Sequence, residues 1–86
     1  MNNNATYKYI DMQWIGGSPS GKTAIWQVRN SAGHGILGEV KWYGSWRQYC
    51  FFPNGSCVFS AGCLDDIRCF IHRQMNERKD TARKGN

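Results

Sequence analysis

A dense run of aromatic residues over positions 42–53 is the strongest chemical signal in the sequence. Six of these twelve positions are Trp, Tyr or Phe, and lysine, arginine and glutamine stand among or beside them. Aromatic rings interleaved with cations and amides are typical of surfaces on which bases stack while the cations contact phosphate. The candidate ligand-binding residues in this segment are Lys41, Trp42, Tyr43, Trp46, Arg47 and Gln48.

The same residues also suit ordinary packing in a β-hairpin. Glycine at the first position of a two-residue turn is typical of a tight hairpin, so Gly44-Ser45 predicts that Trp42 lies opposite Arg47. In that register the more apolar face, which we expect under a helix, carries Val40, Trp42, Arg47, Tyr49 and Phe51. The opposite face carries Leu37, Glu39, Lys41, Tyr43, Trp46, Gln48, Cys50 and Phe52. The rings of this second face either bind a ligand or partner, or pack across the strands.

A second candidate for phosphate binding lies in the glycine-rich segment 16–23. This segment matches the G-x-x-x-x-G-K-[ST] pattern of nucleotide-hydrolysing phosphate loops, which lead into a helix whose free N–H groups bind phosphate. Residues 24–29 alternate like a strand instead, so we expect a hairpin loop without nucleotide hydrolysis. Lys22 and the glycine N–H groups remain able to bind phosphate without catalysis.

The sequence indicates a small basic protein, and we expect it not to be an enzyme. The 86 residues carry a formal net charge of +5, although five of the eleven basic residues fall in the last fourteen positions. No arrangement of side chains suited to catalysis stands out. The four cysteines lack the C-x-x-C spacing of zinc sites, so we expect no metal, and we expect no cofactor. The polar N-terminus carries no apolar signal core, so without export we expect the thiols to stay reduced. Because the sequence has no signal-like or membrane-spanning apolar run, we expect a cytoplasmic protein without membrane contact.

Hydrophobic periodicity predicts an α+β fold with a four- to five-stranded antiparallel sheet and one C-terminal helix packed on one face. On this pattern Trp14 and Trp26 lie on apolar strand faces, and we expect both in the core. The strands are predicted at about residues 6–15, 22–30, 36–43 and 46–52, with a short edge strand at 57–59.

The C-terminal helix is predicted from residues that recur at helical spacing, namely Leu64, Ile67, Ile71 and either Gln74 or Met75, with Phe70 beside them. Ser60 or Gly62 would cap its start, and we expect Asp65 and Asp66 in its first turn, where carboxylates complement the helix dipole. The element order is β-β-β-β-(β)-α. We therefore predict a single domain over residues 6–78, with flexible tails at 1–5 and 79–86.

The pattern L-G-x-V-x-W-Y-x-x-W-R-x-Y-x-F-x-P over residues 37–53 resembles a group of short uncharacterised proteins from bacteriophages and mobile elements. The resemblance covers about residues 16–72. It implies a phage context, in which small non-enzymatic proteins often inhibit host defence by sequestering nucleotide signals or by masking an effector protein. It assigns neither an activity nor a functional residue.

These observations lead to one main hypothesis and two alternatives. The main hypothesis is a non-enzymatic phage counter-defence protein in the host cytoplasm that captures an anionic, nucleotide-type ligand through aromatic and basic side chains. One alternative is a protein–protein inhibitor of a host protein, or a self-associating module, that uses the same rings as hot spots. The other is binding to single-stranded nucleic acid. Since a small sheet with exposed aromatic residues associates readily, we also expect a homo-oligomer.

Overall fold

The computed structural model describes the backbone of residues 4–19, 21–33 and 35–84, and the side chains of these residues up to Arg78. It confirms the predicted α+β class, because five strands form one antiparallel sheet in the order β1-β2-β3-β4-β5 and are followed by one C-terminal helix. The elements are β1 (Ala5–Thr6), β2 (Ile10–Gly17), β3 (Ala24–Asn30), β4 (Ile36–Tyr43), β5 (Gln48–Pro53) and α1 (Ala61–Lys84).

The core lies between α1 and one face of the sheet. Strand residues that alternate toward the helix are buried there together with residues of α1. The ring of Trp26 meets those of Phe70 and Tyr49 edge to face, at centroid distances of 4.9 and 5.4 Å. Such pairs contribute about 0.5–1.5 kcal/mol each beyond the burial of their surface. The buried residues are Ile10, Met12, Trp26, Val28, Leu37, Val40, Tyr49, Ile67 and Phe70.

The helix start is fixed by a side-chain cap. The Ser60 hydroxyl accepts a backbone N–H of the first turn at 3.2 Å, so Ser60 rather than Gly62 is the cap. Because α1 begins directly after this cap, Asp65 and Asp66 lie in its second turn and not in the first, where we expected them. Asp66 has a different role, since its Oδ2 accepts the backbone N–H of Tyr9 at 2.9 Å. This bond ties the start of the helix to the start of β2.

The first predicted strand is interrupted in the structure. The alternation over residues 6–15 predicts one strand, but a turn at residues 7–9 divides it into β1 and β2. In this turn the Tyr7 N–H donates to the Ile10 carbonyl at 2.8 Å. β1 therefore supplies the fifth strand of the sheet, and it begins at Ala5, inside the segment that we expected to be a flexible tail.

Two other predicted boundaries also change. Residues 57–59, expected as a short edge strand, form no strand. The helix continues beyond residue 79, where we predicted the start of a C-terminal tail. Residues 1–3 and 85–86 of the two predicted tails lie outside the described residues, and the assignment of 6–78 to one domain stays a prediction.

The β4–β5 hairpin has a longer loop than predicted. Trp42 pairs with Tyr49, so residues 44–47 form a four-residue loop. The pairing is displaced by two residues from the predicted register. Because side chains alternate with a period of two, residues within β4 and β5 that pair regularly keep their predicted faces. Arg47 leaves the strand, however, and the cross-strand contact that we predicted between Arg47 and Trp42 is wrong.

A β-bulge explains why Leu37 lies on the other side of the sheet from where we placed it. The pairing of Val28 with Gly38 is followed by a register shift, which leaves Leu37 as an extra residue in β4. The bulge turns this side chain inward, and only 8% of it is exposed. The sequence pattern around it does not reveal the extra residue, since strict alternation assigns Leu37 and Glu39 to the same face.

Candidate ligand-binding site

A cleft of about 620 Å³ opens at the end of the sheet, between the β2–β3 loop and the C-terminal half of α1. Residues that are far apart in the sequence meet there, and we call this site the cleft. Its volume falls within the roughly 300–1,000 Å³ that small-ligand sites occupy. The lining residues that could contact a ligand include Trp14, Gly21, Lys22, Trp26, Tyr49 and Arg78.

The floor of the cleft is aromatic and firmly held. Tyr49 and Trp26 are both buried, and the Tyr49 hydroxyl accepts the backbone N–H of Ala24 at 3.2 Å. This bond satisfies the polar end of a side chain whose ring packs in the core. Trp14 stands beside this floor with 44% of its surface exposed. The expectation that Trp14 lies in the core is therefore wrong, whereas the same expectation is confirmed for Trp26.

A cation is fixed at one wall of the cleft. The Arg78 guanidinium carbon lies 4.4 Å from the centre of the Trp42 ring, and Nη1 donates to the Lys22 carbonyl at 3.3 Å. Stacking on the indole leaves other N–H groups of the guanidinium able to bind an anion. The exposed Lys22 belongs to the same wall. Two positively charged side chains therefore border one opening.

The β2–β3 loop holds Lys22 at this position. β2 ends at Gly17 and β3 begins at Ala24, so the two strands are joined by the hairpin loop that we predicted, and a strand rather than a helix follows it. The Ser18 N–H donates to the Thr23 carbonyl at 2.8 Å, which closes the base of the loop. The Gly21 N–H donates to the Ser18 carbonyl at 2.9 Å and is therefore used within the loop. Of the two phosphate-binding groups that we predicted here, the lysine is the better placed.

Glu77 is the acidic residue that lines the cleft, and it is ion-paired. Its Oε2 lies 3.0 Å from Nε of Arg73, one helical turn earlier. The pKa of Arg73 is raised by its hydrogen bonds to Glu77 and to Tyr7, and also by their charges. Because Arg73 offsets the carboxylate, Lys22 and Arg78 give the cleft a net positive character.

Four of the other predicted binding residues lie on the opposite side of the sheet. We define the open sheet face as the side of β4, β5 and their loop that points away from α1. Trp46 is its most exposed ring, with 67% of its surface accessible, and its neighbour Tyr43 lies 5.0 Å away at an interplanar angle of 86°. Members of this face are Glu39, Lys41, Tyr43, Trp46, Gln48, Cys50 and Phe52.

The open sheet face does not have the geometry of a base-stacking platform with an available cation. Its rings meet edge to face, since Tyr43 also lies 6.0 Å from Phe52 at 76°. Lys41 is already engaged, because Nζ lies 3.4 Å from Glu39 Oε1 and 4.7 Å from the Phe52 ring centre. The face thus combines exposed aromatic surface with nearly balanced charge.

The seven predicted site residues therefore fall into three places. Lys22 lines the cleft, and Trp42 lies beside the cleft under Arg78, where its ring also contacts Tyr49 at 5.4 Å. Arg47 stands in the hairpin loop. The remaining four, on the open sheet face, are Lys41, Tyr43, Trp46 and Gln48.

Sequence reasoning missed Trp14 and Arg78 as site residues. Trp14 alternates in phase with buried residues, and only the glycines that follow it indicate that β2 leaves the helix-covered region. The tertiary fold brings the Arg78 side chain onto the Trp42 ring, and no local sequence pattern predicts that contact. Within the part of the chain that the structure describes, no group of three or more His, Cys, Asp or Glu could hold a metal ion. Its described helical residues include no apolar stretch long enough to cross a bilayer.

Comparison with known proteins identifies one informative relative. No protein-family model and no solved structure matches the chain. An uncharacterised 9.3 kDa protein of Acholeplasma phage L2 is 33% identical over 72 residues, which cover 84% of this chain and 87% of the phage protein. The match thus extends over nearly the full length of both proteins. The chain belongs to the same family as this small phage protein.

Proposed function

We propose that the protein is a non-enzymatic binding protein that captures an anionic, nucleotide-type ligand in the cleft. The observation that carries this proposal is the meeting of an exposed indole, Trp14, with two cationic side chains, Lys22 and Arg78, around one opening. In this arrangement a base stacks on Trp14 while its phosphate contacts the lysine and the guanidinium. The aromatic floor excludes water beneath the ligand.

The chemistry of the described side chains supports capture rather than turnover. In the cleft, the carboxylate of Glu77 is engaged by an ion pair with Arg73, with Oε2 3.0 Å from Nε. On the open sheet face, burial raises the pKa of the Cys50 thiol, which is the opposite of what an activated nucleophile requires. These side chains therefore favour ligand binding over catalysis.

The phage relative supports a biological setting for this activity. Within that family, we propose that the chain acts in the host cytoplasm as a counter-defence protein that withdraws a nucleotide signal. The resemblance of residues 37–53 to short phage and mobile-element proteins agrees with this setting. A protein that only sequesters a ligand needs a single rigid site. The hydrogen-bonded β2–β3 loop and the aromatic floor of the cleft would provide this rigidity.

The experiment is a titration of the purified protein with nucleoside mono-, di- and cyclic phosphates, followed by tryptophan fluorescence. Trp14→Ala should weaken binding by about 5- to 150-fold, because base stacking contributes about 1–3 kcal/mol. Lys22→Ala should weaken it by about tenfold or more, because a hydrogen bond to a charged group contributes about 1.5–3 kcal/mol. Matched controls, Trp46→Ala and Lys41→Ala, remove the same side-chain types from the open sheet face and should bind like the wild type.

Each result of this titration decides a separate point. Loss of binding in the controls but not in the cleft variants would move the ligand to the open sheet face. If the wild type binds none of these nucleotides, the proposed function is wrong.

A second function, inhibition of a host protein, is favoured by one observation on the open sheet face. Trp46 is exposed but held edge-on by Tyr43, so it can enter a partner's pocket with little loss of side-chain entropy. Binding to single-stranded nucleic acid has less support there, because Glu39 offsets the charge of Lys41. Oligonucleotide binding that weakens steeply with rising salt would instead favour nucleic-acid binding over inhibition of a host protein.

A further inference from the structure

The two edges of the sheet differ in how they are protected. At one edge β1 contains only two residues, and beyond it the exposed N–H of Trp14 donates to Asn4 Oδ1 at 2.8 Å. At the other edge β5 contains six residues and has no neighbouring strand on its outer side within the described chain. An edge strand whose outer side no strand covers can accept another strand, although here Met75 of α1 already contacts the N–H of Tyr49. β5 is therefore the edge at which association should occur.

The backbone groups that point outward from β5 can be identified. The Tyr49 N–H donates to Met75 Sδ at 3.4 Å, so it points away from β4. Since N–H directions alternate along a strand, the N–H of Phe51 points the same way, and Pro53 has none to offer. Thioether sulfur is a weak acceptor, so Tyr49 would gain by donating to a carbonyl instead.

An apolar groove runs beside this edge. It has a volume of about 340 Å³ and lies between β5 and α1, with Phe51, Leu64 and Ile71 among its lining residues. Leu64 is 51% exposed although it lies on the flank of the helix that faces β5. A partner that pairs with the strand would cover this groove at the same time.

We propose that two copies of the chain pair antiparallel along β5 and form a two-fold symmetric dimer. With Phe51 at the centre, Phe51 pairs with the partner's Phe51, and Tyr49 pairs with the partner's Pro53. The two phenylalanines exchange N–H···O bonds, and each Tyr49 N–H donates to the proline carbonyl of the other chain. The missing N–H of Pro53 falls at the ends of this ladder, where its absence does little harm. The two five-stranded sheets become continuous.

Charge complementarity indicates a second copy as the occupant. Met75 lies beside Tyr49, so α1 runs opposite to β5 and its N-terminal part lies near the Pro53 end of the strand. Antiparallel pairing therefore brings the hairpin loop of one chain to the start of α1 in the other. Among the described ion pairs Arg47 has no partner, and Asp65, with 63% of its side chain exposed, pairs only with Arg68. Arg47 then faces the partner's Asp65, and symmetry makes this contact twice.

The backbone of Arg47 provides independent support. Its φ is +54°, in the left-handed region that glycine adopts most readily. A long charged side chain in such a conformation is a reason to look for a function at that residue. An interface contact with a carboxylate of the second copy supplies one.

Sedimentation of the full chain over a range of protein concentrations, without nucleotide, tests the dimer. The wild type should sediment as a species of twice the 9.8 kDa chain mass. Leu64→Glu should raise the dimer dissociation constant at least tenfold. The matched control is Ile15→Glu, which changes a residue of similar exposure (48%) on β2 and should have no effect. Circular dichroism checks that each variant is folded.

A charge exchange tests the assigned contact directly. Arg47→Glu should weaken the dimer, and addition of Asp65→Arg should restore most of the affinity. Sedimentation is measured without nucleotide and the nucleotide titration reports on the cleft, so the two proposals fail separately. A monomer at all concentrations would overturn the dimer, as would a dimer that tolerates both Leu64→Glu and Arg47→Glu. If β5 pairs with an added peptide but not with β5 of a second copy, the proposed dimer is also wrong.

Discussion

The guanidinium of Arg78 stacks on the ring of Trp42, with the guanidinium carbon 4.4 Å from the ring centre. This contact joins the last described turns of α1 to the β4–β5 hairpin. It also carries one of the two cations of the cleft, because the same guanidinium donates to the Lys22 carbonyl. One residue thus connects the packing of the helix to the electrostatics of the proposed binding site.

Arg78→Ala should lower both stability and ligand affinity. Loss of an exposed cation–π contact should reduce the free energy of unfolding by about 0.5–1 kcal/mol. Chemical denaturation measures this change, and nucleotide titration measures the affinity. Arg78→Met is the informative control, since it keeps much of the side-chain stem over Trp42 but removes the charge. It should lose affinity for the anion while it keeps part of the stability. Equal affinity in all three proteins would exclude Arg78 from the site.

Glu77→Gln should increase affinity for an anionic ligand by about two- to fivefold. The substitution removes a negative charge from the cleft and keeps the shape of the side chain, and a unit charge a few ångströms away is worth about 1 kcal/mol in water. Glu39→Gln on the open sheet face serves as the control, and it should leave nucleotide affinity unchanged. If Glu77→Gln weakens binding instead, its carboxylate contacts the ligand directly.

Arg47→Gly should stabilise the monomer by about 0.5–1 kcal/mol. Glycine adopts the left-handed backbone of this position without steric strain, although its greater freedom in the unfolded chain offsets part of the gain. Denaturant unfolding in a Leu64→Glu background measures this change without a contribution from dimerisation. Arg47→Ala keeps the strain and should show no such gain. Equal stability of the alanine and glycine variants would show that the backbone at this residue is relaxed.

Phe70→Ala should reduce the free energy of unfolding by about 3–5 kcal/mol, which is enough to unfold many domains of this size. Phe70 is 1% exposed, and its ring meets those of Trp26 and Tyr7. Trp46→Ala removes a larger ring that is mostly exposed and should cost less than about 1 kcal/mol. Thermal unfolding monitored by circular dichroism compares them. Similar losses in both variants would mean that the helix does not form the core described here.

The hairpin shows what the sequence could and could not predict. The burial of Val40 and Tyr49 and the exposure of Tyr43 follow from alternation, and a register error of two residues leaves these faces unchanged. The loop length could not be derived in the same way. Gly44-Ser45 suits a two-residue turn, and the observed four-residue loop instead needs Arg47 in a conformation that arginine seldom adopts.

The candidate site was harder to predict than the fold, because its residues come from different elements. Lys22 was identified from a local motif, and it does line the cleft. Trp14 follows the period of the core, so alternation predicts that it is buried, and only the glycines after it indicate where the helix stops covering β2. Arg78 was one of several cations near the end of a helix, and only the fold brings it to Trp42.

The most direct test of the cleft is the indole N–H region of the proton–nitrogen NMR spectrum during nucleotide titration. The four tryptophans of the chain each give one side-chain signal, and single Trp→Phe variants assign them. Capture in the cleft predicts that the Trp14 signal shifts in proportion to occupancy while that of Trp46 stays in place. A shift of Trp46 with an unmoved Trp14, or no shift at saturating nucleotide, would contradict it.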